Sequence, residues 1–257
     1  MKQIVTMQGK CVVVTGAAQG IGKALTELVI DQGGTVVAVD RNADQLKSAA
    51  AGWSADHVLP LVGSVTDEDF AAEAVRQGIA RFGAIQGLVN NAGIIRPAMI
   101  EKMTMTQWRE VIDVHLTGSF IWLQTVGRHM IEQAKAGEKY PGSIVNISSD
   151  AGRKGSIGQI NYAAAKSGMF GMTMTAAREW GRHQIRTNTV CFGVVETPMT
   201  EVIRGEKFRD AMLAQIPMGH WSTPDEVVKT VVFLLSDASS YTTGQHIAIN
   251  GGYHVSV

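Results

Sequence analysis

Cys11-Val12-Val13-Val14-Thr15-Gly16-Ala17-Ala18-Gln19-Gly20-Ile21-Gly22 runs from an apolar, β-branched stretch through a glycine-rich turn into a helical pattern. A continuous apolar run without alternation is what a strand needs when both faces of its parallel sheet are covered. The turn calls for glycine on two grounds. Its backbone angles are ones a β-carbon resists, and a pyrophosphate must come close to main-chain N–H groups. The helix that opens there turns its partial positive end toward the same anion. Gly16, Gln19, Gly20, Ile21 and Gly22 are therefore candidate cofactor contacts. The spacing is G-x-x-x-G-x-G, not the commoner G-x-G-x-x-G. A glycine turn alone also arises for structural reasons; its place between a strand and a helix points to a nucleotide.

The same alternation continues outward. Strands are expected at Cys11 to Thr15, Thr35 to Val39, His57 to Val62, Gly87 to Asn90, Ser143 to Ser148, Arg186 to Cys191 and His246 to Ile249. Helical patterns lie between them, at Ile21 to Asp31, Asp67 to Arg81, Trp108 to Ala134 and Tyr162 to Gly181. Thr66-Asp67-Glu68-Asp69 and Ser222-Thr223-Pro224-Asp225-Glu226 carry helix-start signals, a cap followed by acids that complement the dipole. The pattern implies an α/β fold, a doubly wound parallel sheet with helices on both faces and ligands at the carboxyl ends of the strands. Neither a repeat nor a linker divides residues 1–257, so one dinucleotide-binding and catalytic domain is expected.

Composition excludes several alternatives. Lys plus Arg and Asp plus Glu both number 23, so no net field favours nucleic acid, an acidic polymer or a membrane surface. No apolar run approaches the ~20 residues of a bilayer span, and residues 1–10 lack a signal-peptide h-region. Cys11 and Cys191 sit in buried-strand patterns and read as reduced thiols. The expected location is the cytoplasm and the expected partner a small-molecule substrate.

Two further features supply chemistry. Asp40 ends the second strand, where an acid can accept both ribose hydroxyls of an adenosine and repel a 2′-phosphate. Arg41 follows it and is what a 2′-phosphate would want, so the balance favours NAD with NADP as the alternative. Tyr162-Ala163-Ala164-Ala165-Lys166 places a phenol and an ammonium on one helical face. A lysine about 4 Å away would contribute roughly 4 kcal/mol at an effective dielectric of ~20. That would bring the phenol pKa down from about 10 by up to ~3, enough for proton exchange with an alcohol or a ketone. By itself such a pair is common on solvated helices. Ser149, at the carboxyl end of the fifth strand, gives it a context by offering a hydroxyl to the substrate oxygen. Ser148 is the adjacent competitor, pointing the other way if the strand continues.

Together, Thr15-Gly16 through Gly22, Asn90-Asn91-Ala92-Gly93, Ser149, Tyr162 with Lys166, and Asn250-Gly251-Gly252 resemble the short-chain dehydrogenase/reductase family along essentially the whole chain. The resemblance implies a Rossmann-like sheet of seven strands, a nicotinamide cofactor, and a homotetramer or homodimer. It implies that Ser149 orients the substrate oxygen and that Tyr162 is the general acid/base. Lys166 would tune Tyr162 and bind the nicotinamide ribose. Asn91 would lie beside the adenosine and central ribose, and Val195 and Thr197 would contact the carboxamide. Ser64 and Val65 would lie at the adenine.

Three positions depart from the family pattern. His115 stands where Asn usually helps hold a water chain to the lysine; its ring is bulkier and can itself titrate. Phe192-Gly193 replaces Pro-Gly after the sixth strand, and Ser64 replaces the acid at the adenine. The substrate lid is expected at 197–220, with Met199, Val202, Ile203, Phe208, Met212, Leu213, Ile216 and Met218 facing either substrate or the lid's own core. The pattern is similar to that of 3-oxoacyl-thioester reductases, with sugar-alcohol and other secondary-alcohol dehydrogenases as the alternative. A basic patch for a carrier protein is not evident among Lys139, Arg153, Lys154, Arg182 and Arg204. A dinucleotide-binding regulatory subunit of low turnover is the reading from another class.

Overall fold

The computed structural model describes residues 5–255. Seven strands form one parallel sheet: β1 (Cys11–Thr15), β2 (Thr35–Asp40), β3 (Val58–Val62), β4 (Gly87–Asn90), β5 (Gly142–Ser149), β6 (Ile185–Phe192) and β7 (His246–Ile249). The spatial order is β3-β2-β1-β4-β5-β6-β7. Each expected strand is present, with ends shifted by at most one residue. Among the described residues ten α-helices join them: α1 (Gly20–Asp31), α2 (Ala43–Ala50), α3 (Glu68–Phe82), α4 (Met105–Ile112), α5 (Gly118–Lys135), α6 (Ala151–Lys154), α7 (Ile160–Trp180), α8 (Glu201–Arg204), α9 (Glu206–Leu213) and α10 (Pro224–Leu235).

Alternate residues of the central strands feed two cores. Val12 and Val14 of β1 pack with Leu25 and Val29 of α1, Leu46 of α2 and Val228 of α10. Val13 packs on the opposite face with Ala74 of α3, Trp122 and Met130 of α5 and Ala176 of α7. All three valines are fully buried, as the unbroken apolar run required. Side chains of this size each contribute about 1.5–3 kcal/mol on burial, so β1 anchors both layers.

The order reverses between β1 and β4, which opens a crevice above their carboxyl ends. Thr15 and Asn90 end those strands, and the loops beginning at Gly16 and Asn91 form the crevice walls.

The expected single helix from Trp108 to Ala134 is corrected to three pieces. α4 starts at a Thr104–Gln107 capping box, a π-helical turn spans Asp113–Thr117, and α5 follows. The wide turn carries His115, and π-turns inside helices concentrate at functional sites. Helix α2 and the short α6 had no counterpart in the expected pattern. Among the described residues no helix is long and apolar enough to cross a membrane, and Cys11 and Cys191 are buried and unpaired.

Candidate functional site

The crevice is a cleft of about 410 Å³ that runs from β2 to the lid. At one end lies the glycine turn. Gly16 has φ +69° and Gly20 φ +53°, conformations that favour glycine. Four helices, α2, α3, α4 and α10, have a side chain bonded into their first turn, from Asn42, Asp67, Thr104 and Thr223. α1 has none, and no acid lies in its first turn. Its N-terminal donors thus remain available to an anion in the cleft. This turn fits a dinucleotide pyrophosphate.

Gly16, Gln19, Gly20 and Ile21 line the cleft, but Gly22 does not. Gly22 lies behind the turn, where a β-carbon would run into the Gly16 carbonyl and the Asn91 amide. It shapes the turn by close packing instead of touching ligand. Asn91 holds the other wall: its amide donates to the Thr15 and Gly16 carbonyls at 2.9 and 3.2 Å.

Asp40 also lines the cleft. Its carboxylate accepts the Ala18 N–H at 3.0 Å and the Asn42 N–H at 2.9 Å, fixing it beside the turn. Arg41 lines the same end. Ser64 and Val65 lie there too, with the Ser64 hydroxyl sharing a 2.8 Å hydrogen bond with Thr66. Val65 packs on Gly118, where a β-carbon would stand 2.9 Å from its methyl.

The reacting end is built by β5, α7 and the π-turn. Ser148 and Ser149 are separated by their bonding. The Ser148 hydroxyl donates to the Lys166 carbonyl at 2.7 Å, a structural bond to α7. Ser149 instead shares a side-chain hydrogen bond with Tyr162. Burial pushes the Tyr162 phenol above its ordinary value, and the Ser149 bond opposes this. Lys166 is 3 % exposed, and burial brings its ammonium down to about 7. Its Nζ donates to the Ile147 carbonyl at 2.6 Å and stands 5.6 Å from the Tyr162 ring centre.

The expectation that Lys166 lowers the phenol is therefore corrected: burial and the Ser149 bond are what act on Tyr162. The ammonium is spent on a backbone carbonyl, and desolvation drives both groups toward their neutral forms.

His115 is buried, its ring edge-on to Tyr162 with centres 5.2 Å apart. Nε2 lies 2.8 Å from the Ile94 carbonyl oxygen and 3.0 Å from the Ile94 nitrogen. Burial, then the charge of Lys166, depresses its pKa to about 3. His115 thus stays neutral through the working range, and the expectation that it titrates is corrected. The ring fits because residue 93 is glycine; a β-carbon there would collide with His115.

Phe192 lies inside β6, opposite Ser149 in the register, and lines the cleft. Val195 pairs with Ser222 in an isolated bridge, and Thr197 caps the lid's first turn beside Gly20. Both reach the cleft. The lid's apolar side chains divide. Met199 lines the cleft, Ile216 packs with Met212 and Leu213 as lid core, and Val202, Phe208 and Met218 are exposed. Among residues not singled out from sequence, Asn42 and Gln45 line the adenosine end and Ile94 and Ile147 the reacting end. The strand-and-turn positions of Asn42 and Ile94 next to recognised motifs were the available signal.

A doubly wound sheet, an uncapped glycine turn at its switch point and a Ser-Tyr-Lys cluster in the same cleft define a nucleotide-dependent oxidoreductase. Residues 16–254 match the family model described as Enoyl-(Acyl carrier protein) reductase. The chain is 46% identical over 249 residues to the 3-oxoacyl-[acyl-carrier-protein] reductase FabG of Thermotoga maritima, covering 96% of this chain and 98% of the relative. It is 40% identical over 244 residues to an acetoacetyl-CoA reductase of Paracoccus denitrificans, covering 95% and 98%. Among solved structures it is similar to a short-chain dehydrogenase/reductase, a glucose/ribitol dehydrogenase of Brucella melitensis. The TM-score is 0.91 at 30% identity, over 98% of this chain and 99% of the other. A proposed NAD(P) dependent gluconate 5-dehydrogenase of Beutenbergia cavernae, solved with bound NADP, gives 0.86 at 33% identity, over 96% and 98%. The chain belongs to the short-chain dehydrogenase/reductase family. It is an NAD(P)-dependent oxidoreductase that interconverts a secondary alcohol and a ketone by hydride transfer.

Proposed function

We propose that the enzyme works as a reductase of 3-oxoacyl thioesters, through Ser149, Tyr162 and Lys166, within one catalytic unit. The observation that carries this reading is the apolar wall around the proton donor. Phe192, in register with Ser149, lines the cleft there together with Ile94 and Ile147, and Met199 lines its lid side. A polyol would need several polar side chains there; an acyl chain flanking a single ketone needs few. The 3-oxoacyl-[acyl-carrier-protein] and acetoacetyl-CoA reductases among the relatives support the same substrate class.

In this reading the nicotinamide supplies the hydride. Ser149 holds the ketone oxygen, and Tyr162, kept protonated by burial, donates the proton as negative charge develops there. Lys166 binds the ribose and restores the proton. His115 holds the tyrosine ring as a neutral wall. Gly16, Gln19, Gly20 and Ile21 hold the pyrophosphate, with Asn91, Ser64, Val65, Val195 and Thr197 along the rest of the nucleotide. The test follows reduced-cofactor oxidation with acetoacetyl-CoA and longer 3-oxoacyl thioesters, against ribitol and gluconate in the oxidative direction. Turnover of the thioesters is expected. Turnover of the polyols alone would replace this reading with the sugar-alcohol one, and cofactor binding without turnover of either would favour a regulatory subunit.

NAD is proposed as the favoured nucleotide, on the position of the Asp40 carboxylate; Arg41 at the same end makes NADP the alternative. Asp40→Ala is expected to move the NADH/NADPH preference toward NADPH by about tenfold or more, ~1.4 kcal/mol. Stopped-flow or fluorescence titration with both nucleotides reads this directly, and an unchanged ratio removes Asp40 from the selection. A homotetramer or homodimer belongs to the same proposal, supported by the exposed Phe120 of α5 and Met174 of α7.

A further inference from the structure

Asp150 follows Ser149 at the end of β5, and its side chain is buried. Its backbone is fixed on both sides. The N–H donates to the Phe192 carbonyl at 3.0 Å, and the carbonyl accepts from the Arg153 and Lys154 N–H groups at the end of α6. Both carboxylate oxygens accept from the Asn250 amide, at 3.0 and 2.8 Å, across 100 residues of chain. The same amide donates to the His254 carbonyl, and the Asn250 side-chain oxygen accepts the Gly252 N–H. Arg153, Lys154 and His254 surround the carboxylate with positive charge, and Cys191 lies near it.

The turn that Asn250 organises also carries the lid. The Gly251 carbonyl accepts the Met218 N–H at 3.1 Å, and a β-carbon on Gly251 would stand 2.9 Å from Ile216. Tyr253 packs against the lid core of Ile216, Trp221 and Met212, and the Lys154 ammonium sits 3.3 Å from its ring centre. A contiguous chain of contacts therefore joins the strand end bearing Ser149 to the far end of the lid, with Asp150 as its first link and Asn250 as the next.

We propose that Asp150 is a positioning residue for the substrate lid, clamping the 250–254 turn through Asn250 so that residues 197–220 register over Ser149 and Tyr162. A buried carboxylate costs stability unless its acceptors are used, and here both are used on one amide of the lid's anchor. Removing it frees the anchor while leaving the glycine turn and the Ser149–Tyr162 bond untouched. The proposal rests on the reductase reading only in that the lid covers a thioester.

The experiment compares the full-length protein with Asp150→Ala, Asp150→Asn and Asn250→Leu. For Asp150→Ala the KM for acetoacetyl-CoA is expected to rise about tenfold or more, with nucleotide affinity unchanged because Thr197, at the other end of the lid, is held by its own bonds to Thr200 and Arg204. Amide exchange at Met218 and along 206–213 should quicken, read by mass spectrometry without any substrate. Asp150→Asn keeps one acceptor oxygen and should recover part of the lost KM. Asp150→Ala combined with Asn250→Leu should be no worse than either alone, since the two act as one contact. Unchanged exchange in the lid overturns the proposal, as does additivity of the two variants. A parallel loss of nucleotide affinity also overturns it by marking a general disturbance of the cleft. Should the wild type turn over no 3-oxoacyl thioester, the substrate reading fails while the exchange measurement still decides the role of Asp150.

Discussion

Tyr162→Phe is expected to lower kcat for ketone reduction by about 10²–10⁴-fold, the range that a positioned general acid supplies. At about 1.4 kcal/mol per factor of ten, this removes roughly 3–5 kcal/mol of transition-state stabilisation. The substitution isolates the hydroxyl. Tyr162 packs edge-on against His115, and a phenylalanine ring keeps that contact. The phenol oxygen bonds to Ser149, whose hydroxyl also accepts the Ala151 N–H at 3.2 Å and so keeps a partner. Nucleotide affinity, measured by fluorescence titration, should stay at the wild-type value, because no part of the glycine turn depends on the phenol. The pH profile gives a second check. Burial raises the phenol above its ordinary value, so loss of the donor itself is confined to alkaline conditions, whereas proton return through Lys166, whose ammonium is brought to about 7, weakens first as pH rises. Near-full activity of Tyr162→Phe would remove Tyr162 from proton transfer.

The candidate residues Ser149 and Tyr162, which the structure brings together in one cleft, were legible because strand ends and helix faces are periodic features of the chain. Ser149 and Tyr162 each follow from a single element, and the turn from Gly16 to Gly20 from a strand–helix junction. What the pattern did not reveal depends on contacts between distant segments. Lys166 looked like a partner for Tyr162 because they are four residues apart, but its ammonium finds the Ile147 carbonyl on a neighbouring strand. Gly22 looked like a ligand contact, and the folding back of the Gly16 carbonyl together with the approach of Asn91 across the sheet explains why it cannot carry a side chain. The π-turn at Asp113–Thr117 inserts no proline or glycine, so helical periodicity runs through it unmarked. It coincides with a packing contact: His115 reaches the Ile94 backbone beside Gly93, in a loop 21 residues earlier. Asp150 showed nothing at all, since its partner is Asn250 at the other end of the fold.

Lys166→Met is expected to make the protein more stable at neutral pH while abolishing most of its turnover. In the folded chain, burial brings the ammonium from 10.5 to about 7. An unfolded chain would therefore hold more protons between pH 7 and 10.5 than the folded one. Stability then rises with pH across that window, and the full penalty is present below about pH 7. At about 1.4 kcal/mol per pKa unit the penalty near neutrality is roughly 4 kcal/mol. Against this stands the Nζ bond to the Ile147 carbonyl, whose loss leaves a buried acceptor and costs about 1–3 kcal/mol. The desolvation side wins. A rise in Tm of several degrees follows, at ~2–4 °C per kcal/mol for a chain of this size. The gain over wild type should shrink as pH climbs from 7 toward 10.5, where the lysine is neutral in both states. Calorimetry at a series of pH values measures it; a destabilised variant, or a gain that does not change with pH, would mean that the buried ammonium is better compensated than its surroundings indicate. Activity should move the other way, with kcat down by at least ~10² as proton return to Tyr162 is lost. A buried cation that weakens the fold yet is needed for turnover is the signature of a side chain held for chemistry and not for packing.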